Sequence, residues 1–101
     1  MSDPARYFVV WATDRPGALA DRERVREEHR ARLRIGAPGL RVLHGGPTED
    51  DAAAMNGSML VVQADDIEAV RAFVAGDPYV REQVYASVEI RPWRWGLGRS
   101  A

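Results

Sequence analysis

The chain contains no cysteine and, among its 14 basic residues, no lysine; every one is arginine. The first absence excludes disulfides, thiolate metal centres and a cysteine nucleophile. The second excludes a Schiff-base lysine and the lysine of a phosphate-binding P-loop. Long apolar runs are missing too. The longest, such as Tyr7 to Ala12 and Met59 to Val62, fall far short of the roughly 20 residues a membrane-spanning helix requires. The first residues, Met-Ser-Asp-Pro, carry no basic segment followed by an apolar stretch, so no signal peptide is expected and a cytoplasmic location suits the composition. Charge of one sign is not in excess: 14 basic residues oppose 15 acidic ones. Such a balance provides no global attraction to nucleic acid or to an anionic membrane.

What is present is the composition of a globular chain. Of 101 residues, 46% are hydrophobic and 29% charged, enough for a single core. Arg6 to Thr13 reads as a strand apolar on both faces, with Phe8 and Val10 on one side and Tyr7, Val9 and Trp11 on the other. After the turn Asp14-Arg15-Pro16-Gly17, a helix is expected from Ala18 to Arg34. Its inward stripe is Ala18, Arg22, Val25, His29 and Leu33. Glu28 with Arg32 and Glu27 with Arg30 stand at ion-pair spacing on its outer surface.

Leu40 to His44 reads as a second strand, closed by Gly45-Gly46-Pro47, with a surface loop from Thr48 to Asn56. Ser58 to Ala64 reads as a third strand. Asp65 or Asp66 caps a helix to Ala75, Pro78 to Gln83 forms a short helical turn, and Val84 to Trp93 alternates as the last strand. The order β-α-β-β-α-β with right-handed crossovers gives an α+β, ferredoxin-like fold: an antiparallel sheet with two helices on one face. A single domain is expected over residues 1–95, followed by a flexible tail over 96–101. On the sheet's other face Tyr7, Val9, Trp11 and Tyr85 require a cover, and a second copy of the chain is the simplest one.

Few residues combine placement with chemistry. His29, on the inward stripe, is either a core histidine bonded to a backbone carbonyl or a group tuned for proton transfer near neutral pH. Asp77 in Gly-Asp-Pro fits a helix cap followed by proline at the first helical position. A capping carboxylate can also orient a histidine. His44 is expected to be an exposed strand-end residue, and its spacing from His29 matches no metal-ligand pattern, so no metal is expected. There is no GxGxxG fingerprint and no GxSxG elbow around Ser58, and no cofactor signature. The arginines of the first helix interleave with Asp21, Glu23, Glu27 and Glu28, which cancels the field an RNA surface would need.

Taken in order, Arg26-x-x-His29 with Leu33, Gly45-Gly46-Pro47, Gly57-Ser58, Asp77-Pro78-Tyr79, Val84-Tyr85 and Ile90-Arg91-Pro92-Trp93 resemble the YCII-related family from Tyr7 to Trp93. The resemblance implies a dimeric α+β barrel made of two ferredoxin-like chains, similar in fold to muconolactone isomerase. It also implies a histidine–aspartate active site, here His29 and Asp77. One relative is a dehydrochlorinase of a chlorinated hydroxyhydroquinone. The chain departs from the family's common pattern in having His44 before the Gly-Gly-Pro segment and an arginine-rich first helix.

The function expected on these grounds is that of a small-molecule lyase or isomerase. In it His29 acts as general acid and base, Asp77 orients it, and Arg26 attracts an anionic or phenolic substrate. Ser58 lends a hydrogen bond, and Trp11, Tyr79 and Tyr85 line the pocket. The alternative is a non-catalytic dimeric domain that binds a small ligand or serves as an accessory.

Overall fold

A computed structural model describes residues 6–99. The elements follow as β1 (Arg6–Asp14), α1 (Leu19–Ile35), β2 (Arg41–Glu49), β3 (Met55–Ala64), α2 (Ile67–Ala75), α3 (Pro78–Arg81) and β4 (Tyr85–Trp93). The strands form one antiparallel sheet in the order β2-β3-β1-β4, the ferredoxin-like arrangement. The first five residues and the last two of the expected tail lie outside the described residues.

The alternation in β1 divides the sheet's faces. Phe8 and Val10 point to the helices and join Leu60, Val62, Ala64, Val70, Phe73 and Val74 in the main core. A second, smaller core holds Ala18, Val25, Tyr79 and Val84, with Tyr85 packed against it. The stripe expected on α1 is the one buried: Arg22, Val25 and His29 all face inward. Asp66, not Asp65, caps α2 by accepting from the amide of Ala69 at 2.9 Å.

Three expectations are corrected. Gly45-Gly46-Pro47 does not close β2 but continues it, opposite Leu60, Met59 and Ser58. β2 is an edge strand, where a proline without an N–H is tolerated. A Cβ at Gly45 would lie 2.8 Å from Leu60 Cδ2, so a larger residue there would push the Leu60 side chain aside. The loop shrinks accordingly to Asp50–Ala54, a hairpin turn in which the Asp50 carboxylate accepts from the amides of Ala52 and Ala54.

The second correction concerns Tyr85. The pairing of β1 with β4 shifts between Thr13 and Asp14, a bulge that reverses the alternation at the start of β4. Tyr85 therefore turns toward the helices, its ring 5.5 Å from that of Tyr79. Tyr7 stays on the outer face but is buried there by the chain's own Trp93 and Trp95, with ring centroids at 6.4 and 5.4 Å. Trp11 remains 49% exposed on that face.

The third concerns ion pairs on α1. Glu28 pairs with Arg81 of α3 instead of Arg32, and Arg24 bridges Asp21 and Glu82. Cross-element partners bind α1 to the α3 region where intrahelical ones were expected.

Candidate active site

Helix α1 lays two buried polar side chains against the sheet, Arg22 and His29. Seven residues place them two turns apart on one face, about 10 Å along the axis. Between their side chains lies the ring of Tyr79, supplied by α3. The His29 imidazole stacks on it at 3.8 Å and 11°, and the Arg22 guanidinium lies 4.7 Å from its centroid.

The Asp77 carboxylate reaches His29 because α3 starts there. Asp77 is the N-cap residue, its Oδ1 accepting from the amide of Tyr79 at 2.8 Å, and Pro78 fills the first helical position. The same carboxylate meets His29 Nδ1 at 2.8 and 2.9 Å. Capping and orienting, separable in the sequence, are performed here by one side chain. Behind it Arg32 approaches to 3.9 Å from Oδ2 and donates to the carbonyl of Phe73 at 2.6 Å. A Cβ at Gly76 would stand 2.7 Å from the Arg32 guanidinium, so glycine keeps that approach open.

A carboxylate is an acceptor, so Nδ1 carries the proton in this pair. Nε2 of the neutral ring is then an acceptor, and no hydrogen bond to it occurs among the described residues. His29 and Asp77 are 6% and 3% exposed, yet none of the buried side-chain polar atoms described lacks a partner. Nε2 therefore meets solvent through the cleft that His29 lines.

That cleft has a volume of about 360 Å³. One wall is α1, with Arg22, Arg26, His29, Arg30, Leu33 and Arg34; the other is β2, from Val42 to Pro47. Met55, Ser58, Leu60 and Tyr79 complete it. The volume lies at the lower end of the range for small-molecule sites. No carboxylate is among these lining residues.

Of the residues singled out from the sequence, His29, Arg26, Ser58 and Tyr79 line the cleft, and Asp77 stands behind His29. Trp11 does not: it projects from the opposite face of the sheet, as the strand alternation dictates. Tyr85 packs behind Tyr79 and does not line the cleft. Ser58 is 2% exposed and already bonded, its Oγ accepting from Arg22 Nη2 at 2.8 Å. His44 is exposed as expected, but lies within β2 and not at its end, its ring 5.8 Å from that of Trp95.

Arg22 forms the second buried cluster. Its Nε donates to Asp14 Oδ2 at 2.9 Å, and Nη2 donates to the Gly57 carbonyl at 2.5 Å. Burial works against its charge, but the hydrogen bond and field of Asp14 outweigh it and raise its pKa. Burial likewise raises the phenols of Tyr79 and Tyr85, opposed in Tyr79 by Arg22 and Arg26 and in Tyr85 by the nearby Ser58 hydroxyl and Arg22.

The residues missed in the sequence are Arg30 and Arg34. By spacing alone Arg30 is one half of a surface pair with Glu27. The signal was the four-residue spacing of Arg22, Arg26, Arg30 and Arg34, which lines all four along one side of the helix.

The YCII-related domain family model matches residues 7–94. The chain belongs to the YCII-related family. An uncharacterized protein of Haemophilus influenzae is 37% identical over 94 residues, a span of 87% of this chain and 96% of that one. Protein YciI of Escherichia coli O6:H1 is 32% identical over 93 residues, covering 86% and 95% of the two chains. Among solved structures, 5-chloro-2-hydroxyhydroquinone dehydrochlorinase (TftG) from Burkholderia phenoliruptrix, in complex with 2,5-dihydroxybenzoquinone, superposes with a TM-score of 0.77. It is 29% identical, and the match covers 89% of this chain and 95% of TftG. This YCII-related chain thus shares its fold with an enzyme, and with relatives matched over nearly their whole length.

Proposed function

We propose that the protein is an acid–base enzyme of the lyase or isomerase type acting on a small anionic or phenolic molecule, with His29 and Asp77 as its working pair. The observation that carries this reading is His29 held by Asp77 at 2.8 Å through Nδ1, with its other nitrogen open to a cleft lined by arginines. Nε2 takes a proton from a substrate hydroxyl or activated C–H. The imidazolium that forms is stabilised by the Asp77 carboxylate; in an isomerisation Nε2 returns the proton to another position of the product, and in an elimination the leaving group departs as its anion while Nε2 passes the proton to solvent. Arg26, on the cleft wall one turn before His29, holds the negative charge that develops on the substrate. The likeness to a dehydrochlorinase solved with a hydroxylated quinone supports a hydroxylated ring as the substrate type.

The test is turnover of hydroxylated, halogenated aromatic compounds by the wild type and by His29→Gln. Gln retains a hydrogen-bonding amide but shuttles no proton, and a loss of about 100- to 10,000-fold is expected. Binding by the wild type without turnover of any such compound would instead support the non-catalytic ligand-binding domain.

We further infer a homodimer formed through the outer face of the sheet. Trp11 at 49% and Trp93 at 36% exposed leave an aromatic surface beside Val9 that no helix covers. Light scattering should give twice the chain mass at micromolar concentration, and Trp11→Glu should return it to the monomer by placing an unpaired charge in the interface. A wild-type monomer at that concentration would dispose of the dimer.

A further inference from the structure

Five cationic or potentially cationic side chains of α1 line the cleft, and they are not equivalent. Arg22 is neutralised by Asp14 at 2.9 Å, and His29 is engaged by Asp77. Arg26, Arg30 and Arg34 are different: among the described residues none of the three forms an ion pair. All three are exposed, they repeat every four residues, and no carboxylate lines the cleft to offset them. Like charges at that spacing disfavour a helix. Elsewhere on the same helix arginines find partners: Arg24 holds Asp21 and Glu82.

Their positions relative to His29 differ as well. Arg26 precedes it by three residues, about 4.5 Å along the axis. Arg34 follows by five, about 7.5 Å, with Arg30 between. The positive wall thus extends beyond the proton-transfer position on the side away from Arg22. Planar guanidinium groups in such a row match a carboxylate by paired hydrogen bonds.

We propose that the cleft selects substrates bearing a permanent carboxylate, held by Arg30 and Arg34, at the end of the molecule opposite the group that meets Arg26 and His29. This rests on the acid–base reading for which end reacts, and adds a specificity determinant to it. The substrate is then a hydroxylated ring acid of a size that fits about 360 Å³, not a neutral phenol.

The experiment is calorimetric titration of the full chain with 2,5-dihydroxybenzoate and with hydroquinone, the same ring without the carboxylate. At low salt the carboxylate probe should bind at least about tenfold more tightly, and about 0.5 M NaCl should reduce that advantage because the arginines are exposed. Arg30→Gln combined with Arg34→Gln should remove the advantage, read as the ratio of the two affinities, with circular dichroism verifying the fold. His29→Gln should retain the advantage. Equal affinity for the two probes, no binding of either at millimolar concentration, or an advantage that survives the double substitution would each overturn the proposal. If His29→Gln alone erases the advantage, the selectivity belongs to the histidine–aspartate pair, and the proposal fails while the acid–base reading stands. If the advantage behaves as expected but no ring acid is turned over, the acid–base reading fails and the binding proposal stands.

Discussion

Helix α1 buries two polar clusters seven residues apart, and they have opposite designs. Around Arg22 the bonds are directed inward: Asp14, the Gly57 carbonyl and Ser58 Oγ engage the guanidinium, and its charge is matched. Around His29 one nitrogen is bound by Asp77 and the other faces the cleft. A buried polar group neutralised by a carboxylate and bonded to two strands ties those elements together. One with a valence left open toward a cavity is available to a ligand. Tyr79 stands between the two, so the closed cluster supports the ring on which the open one stacks.

This contrast breaks first at Arg22. Arg22→Met leaves Asp14 buried without its partner, which costs about 3–5 kcal/mol, whereas Arg22→Met combined with Asp14→Leu should recover most of that loss. Urea unfolding measures both; a single-variant cost under about 1 kcal/mol would show that the cluster does not hold the fold together. His29→Gln should present the reverse profile, a small change in unfolding free energy beside the large loss of turnover described above.

Asp77 sharpens the comparison, because it serves both stability and the site. Asp77→Ala should cost about 1 kcal/mol more than Asp77→Asn, since asparagine still caps α3. Turnover should fall in both, because asparagine does not stabilise an imidazolium. Equal stability of the two variants in urea would remove the capping role.

The smallest effect is one of pH. Tyr79 and Tyr85 have folded pKa values raised above the ordinary phenol value near 10 by burial. The folded state therefore retains these protons more tightly than the unfolded chain. Their stabilising contribution is complete below about pH 10 and is lost as pH rises from there through the folded values. The thermal midpoint should decline above about pH 10, and Tyr85→Phe should flatten that decline. An unchanged slope would mean that the buried phenol is not what titrates.

Local pattern made much of this readable. The period of β1 and the stripe of α1 identified the buried faces, and Gly-Asp-Pro identified a cap. Those signals depend on neighbours within a turn or a pleat. Tyr85 was misplaced because one bulge residue inverts every alternation beyond it, and a bulge is set by the partner strand. Gly45-Gly46-Pro47 reads as a stop because glycine and proline disfavour strands. Their acceptance in β2 follows from an edge position that only the assembled sheet defines. Trp11 is an aromatic suited by type to a pocket and by alternation to the outer face, and a strand residue occupies only one.

The pairing of His29 with Asp77 came only with the family resemblance; by itself the sequence determined the element order, the apolar faces and the absence of thiol and lysine chemistry. These are properties of composition and short-range periodicity, carried by each segment before it meets another. The tertiary structure decided that Asp77 meets His29 from 48 positions further along the chain, that Arg22 is neutralised while, among the described residues, Arg26, Arg30 and Arg34 form no ion pair, and that Trp11 stands away from the cleft. Each of these depends on which segments the sheet order and the α1 packing bring within a few ångströms. Hydrogen bonds and charge pairing act only at that range.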